Sequence, residues 1–344
     1  MSAEIIRADA RSLPLADESV DCIVTSPPYW GLRDYGYAEQ IGLEQTFDEF
    51  LSELLDVFSE CKRVLKPTGT MWVNMGDSYT GSGRGIGGTV APSDKQARNR
   101  GSIKMKQSFR ADRHEIPRVY PTLPNVGEKN LVGQPWRLAF ALQAAGWYLR
   151  SDIIWHKSNP MPESVTDRPT KSHEYIFLLA KSVRYEYDAA AVREEPVASS
   201  KPSPEKYTVA LKEASKRWYQ RKNDPFEHGE RKYKSGRNPS ITHPCGRNLR
   251  TVWTLPTQAV FDAHFATFPE ALVERCVKAG CPLSGTVLDP FAGSGTVPLV
   301  ANRLGRHGIG VELNPNYIAV AMRRCRSDVI HHAGESQKQN LMFR

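Results

Sequence analysis

The chain has 344 residues, with 46 lysines and arginines against 38 acidic residues, which gives a formal net charge of +8. No stretch approaches 18 apolar residues and no basic and apolar leader opens the sequence, so we expect neither a membrane span nor export. The six cysteines lack Cys-x-x-Cys spacing, a pattern that favours buried thiols in a reducing cytosol over disulfides or a zinc site.

The first quarter of the chain predicts two strands. Residues 4–9 form a short strand-like run that ends in Asp9, and Val20–Thr25 is an apolar run typical of a buried strand. The segment between them is rich in turn-forming residues. We expect the two strands to lie parallel in one sheet.

A long helix is expected next. Thr46 begins it, because Glu49 completes a capping box and apolar residues then repeat at helical spacing as far as Leu65. Pro67-Thr68-Gly69 should end the helix. Residues 70–75 should form the following strand.

Two basic segments interrupt the pattern. Residues 84–118 carry a net charge of +6 and residues 193–250 a net charge of +7, which leaves about −5 for the rest of the chain. Clusters of lysine and arginine bind the phosphates of nucleic acids, whereas the alternative is that both segments are solvated, disordered loops. We expect two insertions that bind nucleic acid.

Helices and strands continue between and after these segments, so the length suits one large α/β domain with insertions, or two domains. Apolar spacing predicts helices at residues 135–145, 269–279 and 297–304 and after Asn314-Pro315, and strands at residues 151–155 and 175–181 around a proline-rich loop at residues 159–171.

Residues 25–30, Thr-Ser-Pro-Pro-Tyr-Trp, place rigid acceptors beside aromatic rings at the end of a strand. Two successive prolines fix the backbone and leave their carbonyls free to accept hydrogen bonds. Ser26 adds a hydroxyl oxygen, and we expect Tyr29 and Trp30 to offer stacking faces. A planar amine fits such a group of residues.

A second motif lies at residues 287–296, where an apolar run leads through Asp289 into a turn with Gly293 and Gly295. Glu312 ends another strand 23 residues after Asp289. The glycines allow a ligand to approach the backbone closely. A nucleotide-triphosphate loop is excluded because no Gly-Lys-Ser/Thr follows, and a nicotinamide dinucleotide site fits poorly without a third small residue.

Together the two motifs resemble those of the DNA amino-methyltransferases, which transfer a methyl group from S-adenosylmethionine to an exocyclic amine of a base. Ser26 to Tyr29 match the catalytic Ser/Asp/Asn-Pro-Pro-Tyr motif, and Phe291 to Gly295 match the cofactor motif Phe-x-Gly-x-Gly. The catalytic motif comes first, which is the circularly permuted β-type order. The resemblance implies a Rossmann-like methyltransferase fold of the α/β class, with a mostly parallel seven-stranded sheet and basic DNA-binding insertions.

The resemblance also assigns roles to residues. The Ser26 hydroxyl and the Pro27 carbonyl would accept the two amine hydrogens, while Tyr29 would stack on a base flipped out of the duplex. Asp9 would hydrogen-bond the adenine of the cofactor and Glu312 its ribose hydroxyls. The catalytic set is Ser26, Pro27, Pro28 and Tyr29. The cofactor set is Asp9, Thr267, Phe268, Asp289, Pro290, Phe291, Gly293, Gly295, Thr296 and Glu312, and no metal is expected.

The resemblance divides the chain into functional parts. We expect a catalytic half at residues 1–83 and 131–190, a basic insertion at 84–130, a target-recognition region at 191–248, a cofactor-binding half at 249–326 and a flexible tail at 327–344. Duplex DNA is the expected partner, with a cognate restriction endonuclease and a second copy of the chain as candidate partners. We expect a cytoplasmic protein, prokaryotic or phage-encoded and associated with the nucleoid.

Cytosine N4 is favoured over adenine N6 as the methylated amine. Family members with Ser in the first motif position, especially after Thr, are mostly cytosine enzymes, whereas adenine enzymes mostly carry Asp there. Methylation of RNA or protein, and a DNA-binding module without catalysis, remain alternatives. Pro244-Cys245 could be a carbon-5 nucleophile, but no apolar strand precedes it.

Several residues near the predicted strand ends shape the base pocket in the resembled family. Because spacing alone favours an ordinary structural role, we leave them out of the catalytic set. They are Trp155, His156, Lys157, Asn159, His173 and Glu174.

Overall fold

The strand-like runs of the chain build one sheet of eight strands. The computed structural model describes residues 3–32, 39–81, 123–195, 246–258 and 269–326. The strands are β1 (Glu4–Arg7), β2 (Val20–Thr25), β3 (Leu65–Met75), β4 (Tyr148–Lys157), β5 (His173–Ala180), β6 (Val252–Leu255), β7 (Thr286–Asp289) and β8 (His307–Glu312).

The order of strands in the sheet is β1-β8-β7-β2-β3-β5-β4-β6. All neighbours are parallel except β5, which runs antiparallel to both β3 and β4. The predicted α/β fold with a mostly parallel sheet is confirmed. This order also joins the first and last quarters of the chain, because β1 pairs with β8 and β2 with β7.

The strand count is eight rather than the seven that we expected. The additional strand is β6, which pairs in parallel with the end of β4, from Ile154 opposite Val252 to Lys157 opposite Leu255. It has only four residues, of which Trp253 and Leu255 are buried. A run of four residues is the shortest in which alternation can indicate a strand, and its pairing with β4 is what reveals this one.

The first helix, α1 (Phe47–Val64), begins as predicted. The Thr46 hydroxyl accepts a hydrogen bond from the Glu49 backbone N–H at 3.2 Å, and the Glu49 carboxylate accepts one from the Thr46 backbone N–H at 3.0 Å. These bonds satisfy two N–H groups that the first turn leaves without partners. One face of the helix is buried, with Phe47, Phe50, Leu54, Val57, Phe58, Cys61 and Val64.

The end of α1 differs from the prediction. The helix ends at Val64, and Leu65 already has the extended backbone of β3. Pro67-Thr68-Gly69 therefore lies inside β3 and not between two elements. The pairing of β2 with β3 jumps here, from Val20 opposite Leu65 to Cys22 opposite Thr70. This bulge takes up the extra residues, so the proline and glycine do not end the strand.

Four further helices cover the sheet: α2 (Gln134–Ala144), α3 (Glu270–Gly280), α4 (Thr296–Arg303) and α5 (residues 315–326). Alternate residues of the central strands point to opposite faces. In β2, Ile23 belongs to the hydrophobic core that buried residues of α1 and α2 form on one face of the sheet. Its neighbour Cys22 points to the other face, where it lies beside Gly280 of α3. The sheet is therefore covered on both faces, as a parallel sheet requires. Among the described residues, no helix is both long and apolar enough to cross a membrane.

Residues 188–250 form a compact unit distinct from residues 1–187 and 251–344. Within this unit, Glu194 and Arg247 exchange two backbone hydrogen bonds of 2.9 Å, and their side chains form an ion pair at 2.9 Å. Most of this unit, most of the first basic insertion and the tail from residue 327 on lie outside the described residues. The predictions made for these parts stay predictions.

Candidate active site

The predicted polar residues meet at one edge of the sheet. Asp9, Glu312, Asp289 and Ser26 lie at or just after the carboxyl ends of β1, β8, β7 and β2, which are neighbours in that order. In an open parallel sheet, ligands bind outside this edge. The structure therefore brings together residues that are far apart in the sequence, although it does not test the role of each.

The glycine-rich turn after β7 is held to β8 by the carboxylate of Glu312. One oxygen accepts a hydrogen bond from the Gly293 backbone N–H and the other accepts one from the Asn314 backbone N–H, both at 2.8 Å. Gly293 has a left-handed backbone (φ 51°), and a Cβ there would meet only a carbonyl oxygen 3.9 Å away. The turn thus leaves open space beside the Glu312 carboxylate.

Gly295 has a different role. It is the N-cap of α4 with φ 77°, and a Cβ there would lie 2.8 Å from the Cβ of Ala321 in α5. Its missing side chain therefore lets α5 pack against the turn. Thr296, which we assigned to the cofactor, is buried, and its hydroxyl accepts a hydrogen bond from Arg324 of α5 at 3.2 Å.

Asp289 is buried between the two halves of the site. Its Oδ1 accepts hydrogen bonds from the Thr25 hydroxyl at 2.7 Å and from the Phe291 backbone N–H at 3.0 Å. Burial raises the pKa of Asp289 to about 7, although the bonds from Thr25 and Phe291 oppose the shift. Burial also raises the pKa of Glu312.

Neither of these two carboxyl groups bonds to a lysine or arginine within the part of the chain that the structure describes. A buried carboxylate is stabilised by a cation or by hydrogen-bond donors. Asp289 and Glu312 therefore fit a ligand that brings positive charge and hydroxyl groups. A sulfonium amino acid linked to a ribose has both.

Asp9 is anchored in another way. Its carboxylate accepts hydrogen bonds from the Arg11 guanidinium at 2.6 and 3.0 Å and from the Arg11 backbone N–H at 2.9 Å. The hydrogen bond from the Arg11 side chain lowers the pKa of Asp9. Arg11 also forms an ion pair with Glu53 of α1. The predicted contact of Asp9 with the cofactor adenine stays a prediction.

The Ser26 motif follows β2 directly. Pro27 is buried, whereas Ser26 and Tyr29 are half-buried. The Tyr29 hydroxyl donates a hydrogen bond to Glu174 Oε2 at 2.9 Å. Burial, followed by the negative charge of Glu174, raises the pKa of Tyr29 well above its ordinary value. Tyr29 is thus neutral and fixed by a carboxylate.

Trp30 does not offer a stacking face, contrary to our expectation. It is fully buried, its ring packs edge-on against Phe47, and its indole N–H bonds to the Glu44 carbonyl at 2.9 Å. Its backbone N–H donates to Gln134 of α2 at 3.1 Å. Trp30 therefore anchors the catalytic motif in the core.

Glu174 and Lys157, which we left out of the catalytic set, lie beside Tyr29 at this edge of the sheet. Besides Tyr29, the Glu174 carboxylate accepts hydrogen bonds from Asn74 at 3.1 Å and from Lys157 at 2.5 Å. Lys157 ends β4, and Glu174 is the second residue of β5. Glu174 lies opposite Trp155, so Lys157, two residues further along β4, is its diagonal neighbour on the same face. The sequence shows a lysine and a glutamate at the facing ends of two predicted strands. It does not show the register of these strands, which decides whether the two side chains meet.

The remaining assigned residues divide into two groups. Pro290 is buried and Phe291 is half-buried against the core, where both shape the turn after Asp289. Thr267 and Phe268, with the rest of the predicted methionine-end motif that begins at His264, lie outside the described residues.

Comparison with known proteins identifies the relatives of this chain. A family model described as DNA methylase matches residues 20–323. The chain is 43% identical to the Type II methyltransferase M.Cfr9I of Citrobacter freundii, over 95% of this chain and 88% of that protein. It is 42% identical to the Type II methyltransferase M.SmaI of Serratia marcescens, over 94% of this chain and 90% of that protein.

Solved structures share the fold at low sequence identity. A cytosine-N4-specific PvuII DNA methyltransferase superposes with a TM-score of 0.56 at 17% identity, covering 94% of this chain and 86% of that one. A putative DNA modification methylase from Thermus thermophilus, in complex with S-adenosyl-L-methionine, gives a TM-score of 0.52 at 23% identity, covering 95% of this chain and 94% of that one.

The raised pKa of Asp289 predicts a pH dependence of stability. Between the ordinary value of 3.8 and about 7, the native state binds more protons than the unfolded state. The stability of the unliganded protein should therefore fall as pH rises through this window. Relative to the wild type, Asp289→Asn should gain up to about 4 kcal/mol of stability from pH 4 to pH 7, measured by urea unfolding.

The control is Asp56→Asn, an exposed position on α1. If the difference in unfolding free energy between Asp289→Asn and the wild type does not grow with pH, Asp289 is not the buried acid that the geometry indicates.

Proposed function

The chain belongs to the DNA methylase family of N6/N4 amino-methyltransferases, and from this membership we propose that it transfers a methyl group from S-adenosylmethionine to cytosine N4 at a specific site in duplex DNA. The observation that carries the proposal is the hydrogen bond from Thr25 to Asp289 at 2.7 Å. It links the strand that ends in the Ser26 motif to the strand that leads into the glycine-rich turn. A base amine and a methyl donor bound at these two strand ends would be neighbours.

S-adenosylmethionine supplies the methyl group as an electrophilic sulfonium. Glu312 would accept hydrogen bonds from the ribose hydroxyls, and the turn at Gly293 leaves room for the ligand beside this carboxylate. The buried Asp289 would accept hydrogen bonds from donors on the ligand. Asp9 and Phe291 would contact the adenine. These assignments follow the motif positions and agree with the burial and charge of the site.

The base amine needs acceptors because its lone pair is delocalised into the ring. The Ser26 hydroxyl and the Pro27 carbonyl would take its two hydrogens, which turns the lone pair toward the methyl carbon. Tyr29 would stack on the flipped base, with its hydroxyl fixed by Glu174 at 2.9 Å. No covalent nucleophile is required.

Cytosine N4 is proposed over adenine N6 because Ser26 follows Thr25 in the acceptor motif, a combination found mostly in cytosine enzymes of the resembled family. Since the relatives are named Type II methyltransferases, we also propose a role in a restriction–modification system, with a cognate endonuclease as the functional partner. Adenine N6 is the second candidate, because the acceptor geometry suits either amine.

The direct test uses tritiated S-adenosylmethionine with duplex DNA, RNA and protein in parallel, followed by mass spectrometry of the nucleosides. We expect N4-methylcytosine in duplex DNA. Ser26→Ala should reduce methyl transfer at least tenfold, about 1.4 kcal/mol of barrier, with cofactor affinity retained. Ser19→Ala, just before the start of the same strand, is the control. N6-methyladenine as the product would overturn the base assignment.

Cofactor binding can be tested separately from transfer. Glu312→Ala should weaken binding of S-adenosylmethionine by about 1–3 kcal/mol, because hydrogen bonds to a charged acceptor are lost. Glu274→Ala on α3 should leave affinity unchanged, since Glu274 pairs with Lys278 within its own helix. Isothermal calorimetry measures both. Equal affinities of the two variants would contradict the assignment of Glu312.

We further propose that the two basic segments bind DNA and that residues 191–248 carry the choice of site. The net charges of +6 and +7 on residues 84–118 and 193–250 support this, because phosphate contacts position a protein whereas base contacts specify a sequence. Replacing residues 191–248 by the matching segment of a relative with another target should change the methylated site. A folded, active graft that methylates the original site would refute the proposal.

A further inference from the structure

The glycine-rich turn after β7 has little stiffness of its own. Gly293 and Gly295 both have left-handed backbones, with φ of 51° and 77°, and glycine adopts many other conformations as readily. The Gly293 N–H donates to Glu312 and the Gly295 N–H donates to the Ala292 carbonyl, both at 2.8 Å. Ser294 lies between the two glycines, so its contacts decide whether the turn keeps one conformation before a ligand binds.

Arg324 of α5 contacts the turn on both sides of Gly295. Its Nη1 donates hydrogen bonds to the carbonyl and to the hydroxyl of Ser294, both at 2.8 Å, and to the Thr296 hydroxyl at 3.2 Å. Ser294 and Thr296 are buried, and the Arg324 side chain is only 16% exposed. A single guanidinium therefore holds the middle of the turn and the first residue of α4 together.

Helix packing and a carboxylate aim Arg324 at the turn. A Cβ at Gly295 would lie 2.8 Å from the Cβ of Ala321, which precedes Arg324 by one turn of α5 on the same face. The Nη2 of Arg324 is 3.5 Å from one carboxylate oxygen of Glu270, the first residue of α3. The other oxygen of Glu270 pairs with Arg303 at 2.6 Å.

The position of Arg324 is unfavourable for the helix beside it. Gly295 is the N-cap of α4 and offers no side-chain hydrogen bond. The first turn of a helix carries partial positive charge, which disfavours a cation, whereas lysine and arginine stabilise the last turn. Arg303 occupies that favourable end of α4. The hydrogen bonds of Arg324 thus serve the conformation of the turn rather than the helix dipole.

A turn that is already ordered binds its ligand more tightly. A ligand that binds a loose segment must order it, and this cost is subtracted from the free energy of binding. With Ser294 held by Arg324, the Gly293 N–H is directed at Glu312 in the unliganded protein. The open space beside this carboxylate then has its shape before the ligand arrives.

We propose that Arg324 is a positioning residue for S-adenosylmethionine. It keeps the glycine-rich turn in its binding conformation and so raises the affinity for the cofactor without contacting it. The inference rests on the proposed function, in which the cofactor lies between this turn and Glu312.

The binding test compares Arg324→Met and Arg324→Lys with the wild type by isothermal calorimetry of S-adenosylmethionine. Methionine keeps the unbranched stem but has no donor, so affinity should fall about tenfold or more. Lysine is shorter and its ammonium reaches fewer of the oxygens, so affinity should fall by a smaller factor. Arg303→Met is the matched control and should bind normally, because Arg303 pairs with the same Glu270 from the last residue of α4.

Steady-state methylation of duplex DNA separates positioning from a general loss of stability. Arg324→Met should raise the KM for S-adenosylmethionine, while kcat and the KM for DNA stay near the wild-type values. A variant that is only less stable would instead lose kcat, because part of the protein is inactive, and would keep the KM for the cofactor.

Hydrogen exchange follows the turn without turnover. In the unliganded protein, the backbone amides of residues 293–295 should exchange faster in Arg324→Met than in the wild type, whereas those of β7 should not change. Saturating S-adenosylmethionine should reduce this difference, since the bound ligand then orders the turn.

The outcome for Glu312→Ala distinguishes the two ways in which the inference can fail. Wild-type affinity in Arg324→Met, with Glu312→Ala still weakened, would overturn the positioning role and leave the cofactor site intact. If Arg324→Met does not fold, wild-type affinity together with unchanged exchange in Arg324→Lys would overturn it in the same way. If Glu312→Ala also binds normally, the proposed placement of the cofactor fails instead.

Discussion

The site depends on the parallel pairing of β2 with β7, sealed by the hydrogen bond between Thr25 and Asp289, which are 264 residues apart. Without this pairing the acceptor motif and the glycine-rich turn would belong to separate parts of the molecule. The bond is buried, so its loss would leave the Thr25 hydroxyl without this partner and Asp289 with only the bond from the Phe291 backbone N–H. The fold and the proposed active site thus depend on the same contact. The next strands on either side, β8 and β3, extend this edge of the sheet to Glu312 and Asn74.

The unliganded site holds unfavourable electrostatics that a ligand can relieve. Burial raises the pKa of both Asp289 and Glu312, and no cationic side chain among the described residues bonds to either. On the other side of β2, by contrast, Glu174 has an ion pair with Lys157. The carboxyl groups of Asp289 and Glu312 therefore suit a ligand that brings positive charge. The negative charge of Glu174 is already compensated by Lys157. In the proposed function, this asymmetry would separate binding of the methyl donor from the holding of the base.

Most helices and strands could be predicted from the sequence because capping motifs, turns and apolar spacing depend on residues that are close together in the chain. The capping box at Thr46, the bonds within the turn from Asp289 to Gly295 and the cap at Asn314 each depend on neighbours within a few residues. The failures have a common cause, which is dependence on distant partners. Trp30 is a core residue because Phe47 and Gln134 surround it, and β6 exists because β4 offers it an edge. Glu174 reaches Tyr29 only through the register of β3 and β5, which no short motif encodes.

The position of β1 and β2 at the start of the chain has a consequence for its synthesis. β1 pairs with β8 and with no other described strand, and β2 gains its second neighbour only with β7. During synthesis on the ribosome, β1 has no partner strand and β2 lacks its second one until residues 286–312 have emerged. The backbone N–H and C=O groups on those strand edges are unpaired until then. Pairings between distant segments also form slowly. Glu4, Arg7 and Asp21 place charges in both early strands, and such charges disfavour pairing with other chains.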